Sequence, residues 1–151
     1  MERAAETLRQ AHDGPAWHGP AWKEILAGVT PATAAKHPSG GGHSIWEIVL
    51  HAHTWNVIIR RRLMGEVIVD VPPEEDWPPV QATSPAAWER MVESLLQSGN
   101  ELADAVARIP DRELGERMPQ REHTKWTEIL GAIEHVTYHG GQVAVLKRIV
   151  G

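Results

Sequence analysis

The sequence predicts a single all-α domain in which four long helices form a bundle. Apolar residues recur at helical spacing in four segments, no segment has a convincing strand pattern, and no internal repeat is present. A chain of 151 residues suits one domain with its own core. We therefore expect one domain over residues 1–151, with short turns in the 20–37 region and long helices near 2–12, 44–64, 85–108 and 124–149.

The first two long helices have recognisable ends. Gly14-Pro15 stops the first helix, because proline cannot continue a helix and glycine commonly follows the last turn. Ser44 and Glu47 have the spacing of a capping box, in which each side chain accepts a hydrogen bond from the other residue's backbone N–H. Gly65 follows the last apolar residue of the second helix and predicts its end.

A proline-rich segment separates the second long helix from the third. Residues 66–83 contain four prolines and cannot form a continuous helix. The segment is too long for a tight hairpin, so we expect a long crossover loop, anchored by Trp77. Ser84-Pro85 then supplies the N-cap and the first-turn proline of the third helix, although Gly99 weakens its middle. The fourth helix begins at about Thr124.

The charge and composition exclude several classes of function. The net charge of −5 argues against nucleic-acid binding, and the run Arg60–Arg62 is interpreted as a solvated helix face. The absence of cysteine excludes disulfides, thiolate zinc sites and cysteine nucleophiles. No apolar stretch approaches the roughly 18 residues of a membrane-spanning helix, and the charged N-terminus lacks a signal core. We therefore expect a cytoplasmic protein that binds neither nucleic acid nor membrane.

Nine histidines offer a candidate metal site whose members depend on their spacing. His135 and His139 lie one turn apart on the fourth helix, so both imidazoles can reach one metal ion. The same spacing also fits two histidines that are each satisfied separately by a hydrogen bond. His51 and His53 on the second helix differ by about 200° of rotation, so only one of them can face a shared centre. Geometry alone does not say which.

Two segments resemble signatures of the DinB/YfiT-like superfamily. Residues 42–55, GHSIWEIVLHAHTW, resemble a second-helix signature in which a metal-binding histidine follows the capping serine by seven residues, which is His51 here. Residues 134–148 resemble the fourth-helix signature His-x-x-x-His with a nearby glutamine. The resemblance implies an up-down-down-up four-helix bundle whose crossover is residues 66–83. It also implies one divalent metal ion, zinc or nickel, bound by His51, His135 and His139.

The resemblance also implies a function. Characterised members include metal-dependent transferases that attach a low-molecular-weight thiol to an electrophile. We therefore expect a metal-dependent enzyme acting on a small molecule, either a thiol S-transferase-like protein or a hydrolase. The alternative is a non-enzymatic metal-binding module of the stress response, acting as a homodimer, because fold does not carry function with it.

The catalytic residues are not identified by the sequence, but several residues are candidates for the pocket or for contacts with the ligands. Trp55 lies one turn beyond His51 on the same stripe. Tyr138 and Gln142 lie close to His139 on the fourth helix, and His18 belongs to a loop that could fold over the bundle end. Trp17 and Trp77 are further candidates for the pocket wall, since tryptophan commonly lines partly polar pockets.

Overall fold

The structure is a computed structural model that describes all 151 residues, and it is helical throughout, without β-strands. The four long helices begin and end within one residue of the predicted bounds. The two short helices between residues 20 and 37 are also confirmed, whereas a one-turn helix inside the crossover was not predicted. The helices are α1 (Glu2–Asp13), α2 (Trp22–Leu26), α3 (Pro31–Ala35), α4 (Ile45–Leu63), α5 (Pro73–Asp76), α6 (Pro85–Ala107) and α7 (Lys125–Val150), with a 3-10 turn at Asp111–Glu113.

Side-chain N-caps precede three of the long helices, and those at Ser44 and Ser84 were predicted. The backbone N–H of Ser44 donates to the Glu47 carboxylate at 2.7 Å, and the Glu47 N–H donates to the Ser44 hydroxyl at 3.3 Å. Ser84 and Thr124 accept in the same way from the third residue of α6 and α7. Each cap satisfies an amide that the helix itself leaves unpaired, which fixes where the helix begins.

Contacts between side chains show that α6 runs antiparallel to α1. The N-terminal ammonium of Met1 contacts Asp111, just beyond the end of α6. Arg9, two turns into α1, contacts Asp104, which precedes Asp111 in the chain. Residue numbers therefore rise along α1 as they fall along α6, which defines opposite directions.

The helix α4 runs parallel to α6, and this pairing creates the crossover. His53 contacts the Ser94 carbonyl group, and Arg60 contacts Glu101, so residue numbers rise together along the two helices. A chain that leaves the end of one parallel helix must return along its whole length before it enters the next. Residues 64–84 make this return.

The helix α7 lies antiparallel to α4 and completes the bundle. His51 meets His135 near one end of this contact, and Arg62 meets Glu128 near the other. The directions of α1, α4, α6 and α7 are therefore up, down, down and up, as predicted.

Tryptophan takes the place of the absent phenylalanine in the core. One apolar cluster contains Trp22, Trp46 and Trp88, and a second joins α1 to α6 and α7. Trp22 Nε1–H donates to the Val136 carbonyl at 2.9 Å and Trp88 Nε1–H donates to the Val29 carbonyl at 2.8 Å, so both buried indoles are satisfied. No helix of the bundle combines the length and the apolar character that crossing a membrane would need.

A buried histidine explains the glycine in the middle of α6. His12 has no exposed surface, and its Nδ1–H donates to the Leu8 carbonyl at 2.8 Å. Its Nε2 accepts from the Asn56 amide at 3.1 Å, so the neutral ring is fully satisfied. A Cβ atom at position 99 would lie under 3.0 Å from three atoms of this ring. Glycine at position 99 leaves room for the His12 ring. Its low helix propensity is the cost of this packing.

We expect Gly99→Ala to lower the free energy of unfolding by about 1–3 kcal/mol, because overpacking the His12 ring outweighs the better helix propensity of alanine. Gly131→Ala is the matched control, since open space surrounds Gly131 in α7 and alanine should stabilise it by about 0.4–1 kcal/mol. Urea denaturation of both variants measures the difference. Equal stabilisation by the two substitutions would contradict the packing of His12 against α6.

We expect the stability of the fold to decrease on acidification, with His12 contributing. Burial lowers the pKa of His12, so below about pH 6.5 the unfolded chain binds a proton that the folded chain does not. As the pH falls, one such group lowers the free energy of unfolding by about 1.4 kcal/mol per pH unit, until the pH reaches the pKa of the group in the folded chain. His12→Gln should therefore reduce the loss of stability between pH 7 and pH 5. Part of the loss should remain, because burial also lowers the pKa of His53. If thermal unfolding of His12→Gln depends on pH in the same way as that of the unmodified chain, His12 is not a neutral buried group.

Candidate metal centre

Three histidines from two helices converge in the groove between α4 and α7. His51 extends from α4, and His135 and His139 extend from successive turns of α7. The Nε2 atoms of His51 and His135 are 3.0 Å apart, and one nitrogen of each of the three rings lies within 4.8 Å of the other two. Two nitrogen ligands of a tetrahedral zinc ion are separated by about 3.3 Å, so these rings could hold one ion after small rotations.

Hydrogen bonds orient two of the three rings with Nε2 towards the common centre. His51 Nδ1–H donates to the Asp76 carbonyl at 2.7 Å, and His139 Nδ1–H donates to the Gln142 side-chain oxygen at 2.7 Å. His135 Nδ1 is buried without a partner. Partners of this kind fix the tautomer of metal-binding histidines in other proteins. The donor set therefore fits a divalent transition metal.

The surroundings keep all three imidazoles neutral. Burial lowers the pKa of His135 to about 3, and positive charge on His139 or His51 would lower it further. Burial is also the main cause that lowers the pKa of His51 and of His139. A metal ligand must be unprotonated, so the rings are in the form that binding requires at neutral pH.

The crossover segment supports His51 from outside the bundle. The ring of Trp77 stacks on His51 with centroids 3.9 Å apart, and His43 stacks on the other face of Trp77 at 3.6 Å. Trp55 Nε1–H donates to the Asp76 carboxylate at 2.7 Å. The short helix α5 places Asp76 and Trp77 together, and no sequence periodicity indicated that it would form. The role of Asp76 was therefore missed by the sequence analysis.

The three histidines form part of the wall of an open cleft of about 1120 Å³ between α4, α7 and the crossover. Aromatic rings surround the histidines, and a buried ion pair between Arg62 and Glu128 lies at one end of the cleft. The other polar and aromatic side chains of the wall are His43, Trp55, Arg62, Asp76, Trp77, Glu128, Tyr138 and Gln142.

Most of the predicted pocket residues reach this cleft. Trp55, Trp77, Tyr138 and Gln142 all line it, and the Gln142 amide nitrogen donates to the Tyr138 hydroxyl at 3.1 Å. Tyr138 is nevertheless 64% exposed, so it forms the rim of the cleft rather than its floor.

His18 and Trp17 do not reach the cleft. Both lie exposed in the loop between α1 and α2, and Trp17 is fully exposed. The prediction that this loop could fold over the site is therefore not met, because no apolar contact or hydrogen bond brings it there. His53 faces away as expected, since its Nδ1 contacts the Ser94 carbonyl and the Ser98 hydroxyl of α6.

The interpretation of Arg60–Arg62 as a solvated face is wrong for Arg62. Its side chain is only 5% exposed, and its Nη1 donates to the Glu128 carboxylate at 3.1 Å. Arg61, one residue earlier, points outwards and pairs with Glu66. The helical stripe through His51 and Trp55 continues to position 62, so rotation about the helix could have indicated this side chain.

A four-helix bundle with three inward-facing histidines and an adjacent cleft defines a helical protein with a candidate metal site. The model of the DinB superfamily matches residues 16–143, most of the chain. The chain belongs to the DinB superfamily, as the segments around His51 and His135 indicated. Neither a curated protein nor a solved structure matches it.

We expect Gln142→Leu to weaken Co²⁺ binding about 10–100-fold, because His139 Nδ1 loses the acceptor that fixes its tautomer. Gln97→Leu is the control, since Gln97 makes only an exposed side-chain contact with Glu101 on α6. The absorption of bound Co²⁺ measures both affinities. Equal affinities in the two variants would show that Gln142 does not orient the site.

Proposed function

We propose that His51, His135 and His139 bind one divalent ion, zinc or nickel, and that the chain is a metal-dependent enzyme acting on a small molecule. A thiol S-transferase-like reaction is the favoured one, and hydrolysis is the second candidate. The observation that carries the proposal is the position of three neutral imidazoles on the wall of an open cleft of about 1120 Å³.

The number of ligands favours a reactive site over a structural one. Structural zinc sites usually have four protein ligands, whereas catalytic sites have three and leave one position for water or substrate. Here three histidines face the common centre, and the cleft provides the volume in which a small molecule could reach it.

The carboxylate nearest the histidines favours transfer of a thiol over hydrolysis. Hydrolysis needs a base that can take a proton from water near the common centre. Asp76 Oδ1 lies instead 3.3 Å from His51 Nδ1, whereas Nε2 of this ring faces the centre, and the same oxygen accepts from Trp55 Nε1. A thiol brings its own nucleophile, which agrees with the absence of cysteine in the chain. A bound divalent ion would lower the pKa of such a thiol, so that thiolate is available at neutral pH.

The side chains around the site have defined tasks in this reaction. Trp55 and Trp77 cover one side of the histidines and keep water from the reacting sulfur, while Gln142 and Asp76 hold the imidazoles in place. A sulfur–carbon bond forms, the bond from carbon to the leaving group breaks, and the leaving group departs with the electron pair. The thiol proton passes to solvent through the open cleft. The proposal includes a cytoplasmic location, because thiols are kept reduced there.

We expect His51→Ala to reduce metal affinity by more than about 100-fold and to bring thiol conjugation to the uncatalysed rate. His53→Ala is the matched control, because His53 lies two residues away on α4 but faces α6. Both variants and the unmodified chain are purified without a His tag, analysed for metal, and assayed with several thiols and a chlorinated aromatic electrophile.

The results separate the proposal from its alternatives. Loss of metal and activity in His51→Ala, with both retained in His53→Ala, supports the proposal. Equal conjugation rates in His51→Ala and in the unmodified chain would refute an activity based on this metal. If the unmodified chain hydrolyses esters and His51→Ala loses both this activity and the metal, hydrolysis is favoured. A metal-binding chain that is inactive in every assay favours the non-enzymatic module, and its homodimer is then tested by light scattering.

A further inference from the structure

One end of the cleft contains a mostly buried guanidinium with one terminal nitrogen that no protein group binds. The Arg62 side chain is 95% buried, because its relative exposure is 5%, yet it lines the cleft. Its Nε–H donates to the Ile68 carbonyl at 3.0 Å, and its Nη1–H donates to Glu128. The second terminal nitrogen, Nη2, has no hydrogen-bond partner in the protein.

The contacts of Glu128 leave this guanidinium incompletely satisfied. One carboxylate oxygen accepts from Arg62, and the other contacts His123 Nε2. A buried ion pair seldom stabilises a fold more than apolar residues of the same size would. Arg62 Nη2 is not fully buried, so it can donate to a ligand in the cleft that Arg62 lines.

Trp55 lies between the histidines and Arg62. The guanidinium carbon of Arg62 lies 5.3 Å from the Trp55 ring centroid, and that centroid lies 5.8 Å from the His135 ring centroid, so the Arg62 guanidinium and the His135 ring are at most about 11 Å apart. A small organic molecule can extend over this distance with its chain against the indole.

We propose that Arg62 binds a carboxylate of the substrate, so that the cleft accepts a small thiol carrying a carboxylate several bonds from its sulfur. The inference rests on the proposed function, because it assigns the sulfur to the histidine end. A single free Nη nitrogen, with Glu128 close by, favours a singly charged carboxylate over a doubly charged phosphate. Arg62 is therefore a residue that determines specificity.

The test compares ω-mercaptocarboxylates of increasing chain length with mercaptoalcohols of the same length. Each thiol is titrated into Co²⁺-loaded protein, and the thiolate-to-cobalt charge-transfer absorption gives its affinity. At the chain length that fits the cleft, the carboxylate should bind about tenfold more tightly than the alcohol. Arg62→Met should remove this preference and leave the affinity of the alcohols unchanged.

Two further variants separate recognition from structural support. Arg121 also donates to the Ile68 carbonyl, but it does not line the cleft. Arg121→Met should therefore retain the preference for the carboxylate, even though the crossover loses the hydrogen bond from Arg121 to the Ile68 carbonyl. Glu128→Gln removes the competing negative charge and frees the guanidinium, so the preference should rise above that of the unmodified chain. A merely structural Arg62 would not give opposite effects in Arg62→Met and Glu128→Gln.

The outcomes distinguish failure of this inference from failure of the proposed function. Thiols that bind cobalt without any preference for a carboxylate, at every chain length, overturn the role of Arg62 and leave the proposed function standing. Thiols that do not alter the cobalt spectrum count against the proposed function. In that case calorimetry with the same mercaptocarboxylates and mercaptoalcohols still decides the role of Arg62, because it detects binding to Arg62 as well as to the metal. A preference that disappears equally in Arg62→Met and Arg121→Met also overturns the inference.

Discussion

The antiparallel contact between α4 and α7 brings together the groups that give this bundle its chemistry. His51 faces His135 and His139 near one end of the contact, and Arg62 faces Glu128 near the other. Polar groups on facing helices are costly when they are buried without partners. Here His51, His135, His139, Arg62 and Glu128 all line the open cleft beside these two helices. Both apolar clusters include residues of α4 and α7, so apolar packing joins these helices beside their polar groups.

The parallel directions of α4 and α6 have a second consequence for the site. Because the chain must return along the length of the bundle, residues 64–84 pass over the open groove. The return places α5 against α4, where the Asp76 carbonyl accepts from His51 and the Trp77 ring covers the same imidazole. A tight hairpin between α4 and α6 could supply neither group. The topology of the bundle therefore places Asp76 and Trp77 against His51.

The helices could be predicted from the sequence because their signals are local. Ser44 and Ser84 cap their helices through contacts only three residues away, so the bounds were nearly correct. The choice between His51 and His53 depends instead on which face of α4 meets α7, and family resemblance decided it where rotation could not. Asp76 lies in a proline-rich segment without periodicity, and its role depends on a contact 25 residues away in the chain. Arg62 was within reach of the helical stripe, but its neighbouring charges suggested an exposed face.

Two groups of buried polar residues in this fold differ in whether their hydrogen bonds are complete. In the cluster between α1, α4 and α6, both ring nitrogens of His12 are bonded, and Asn56 donates in turn to the ring and to Ser98. This cluster satisfies itself and needs no ligand, so we interpret it as structural. In the cleft, His135 Nδ1 is buried without a partner, and Arg62 Nη2 is not fully buried and has no hydrogen bond to the protein. Arg62 therefore keeps a nitrogen free to donate to a ligand in the cleft, whereas the cluster around His12 keeps none.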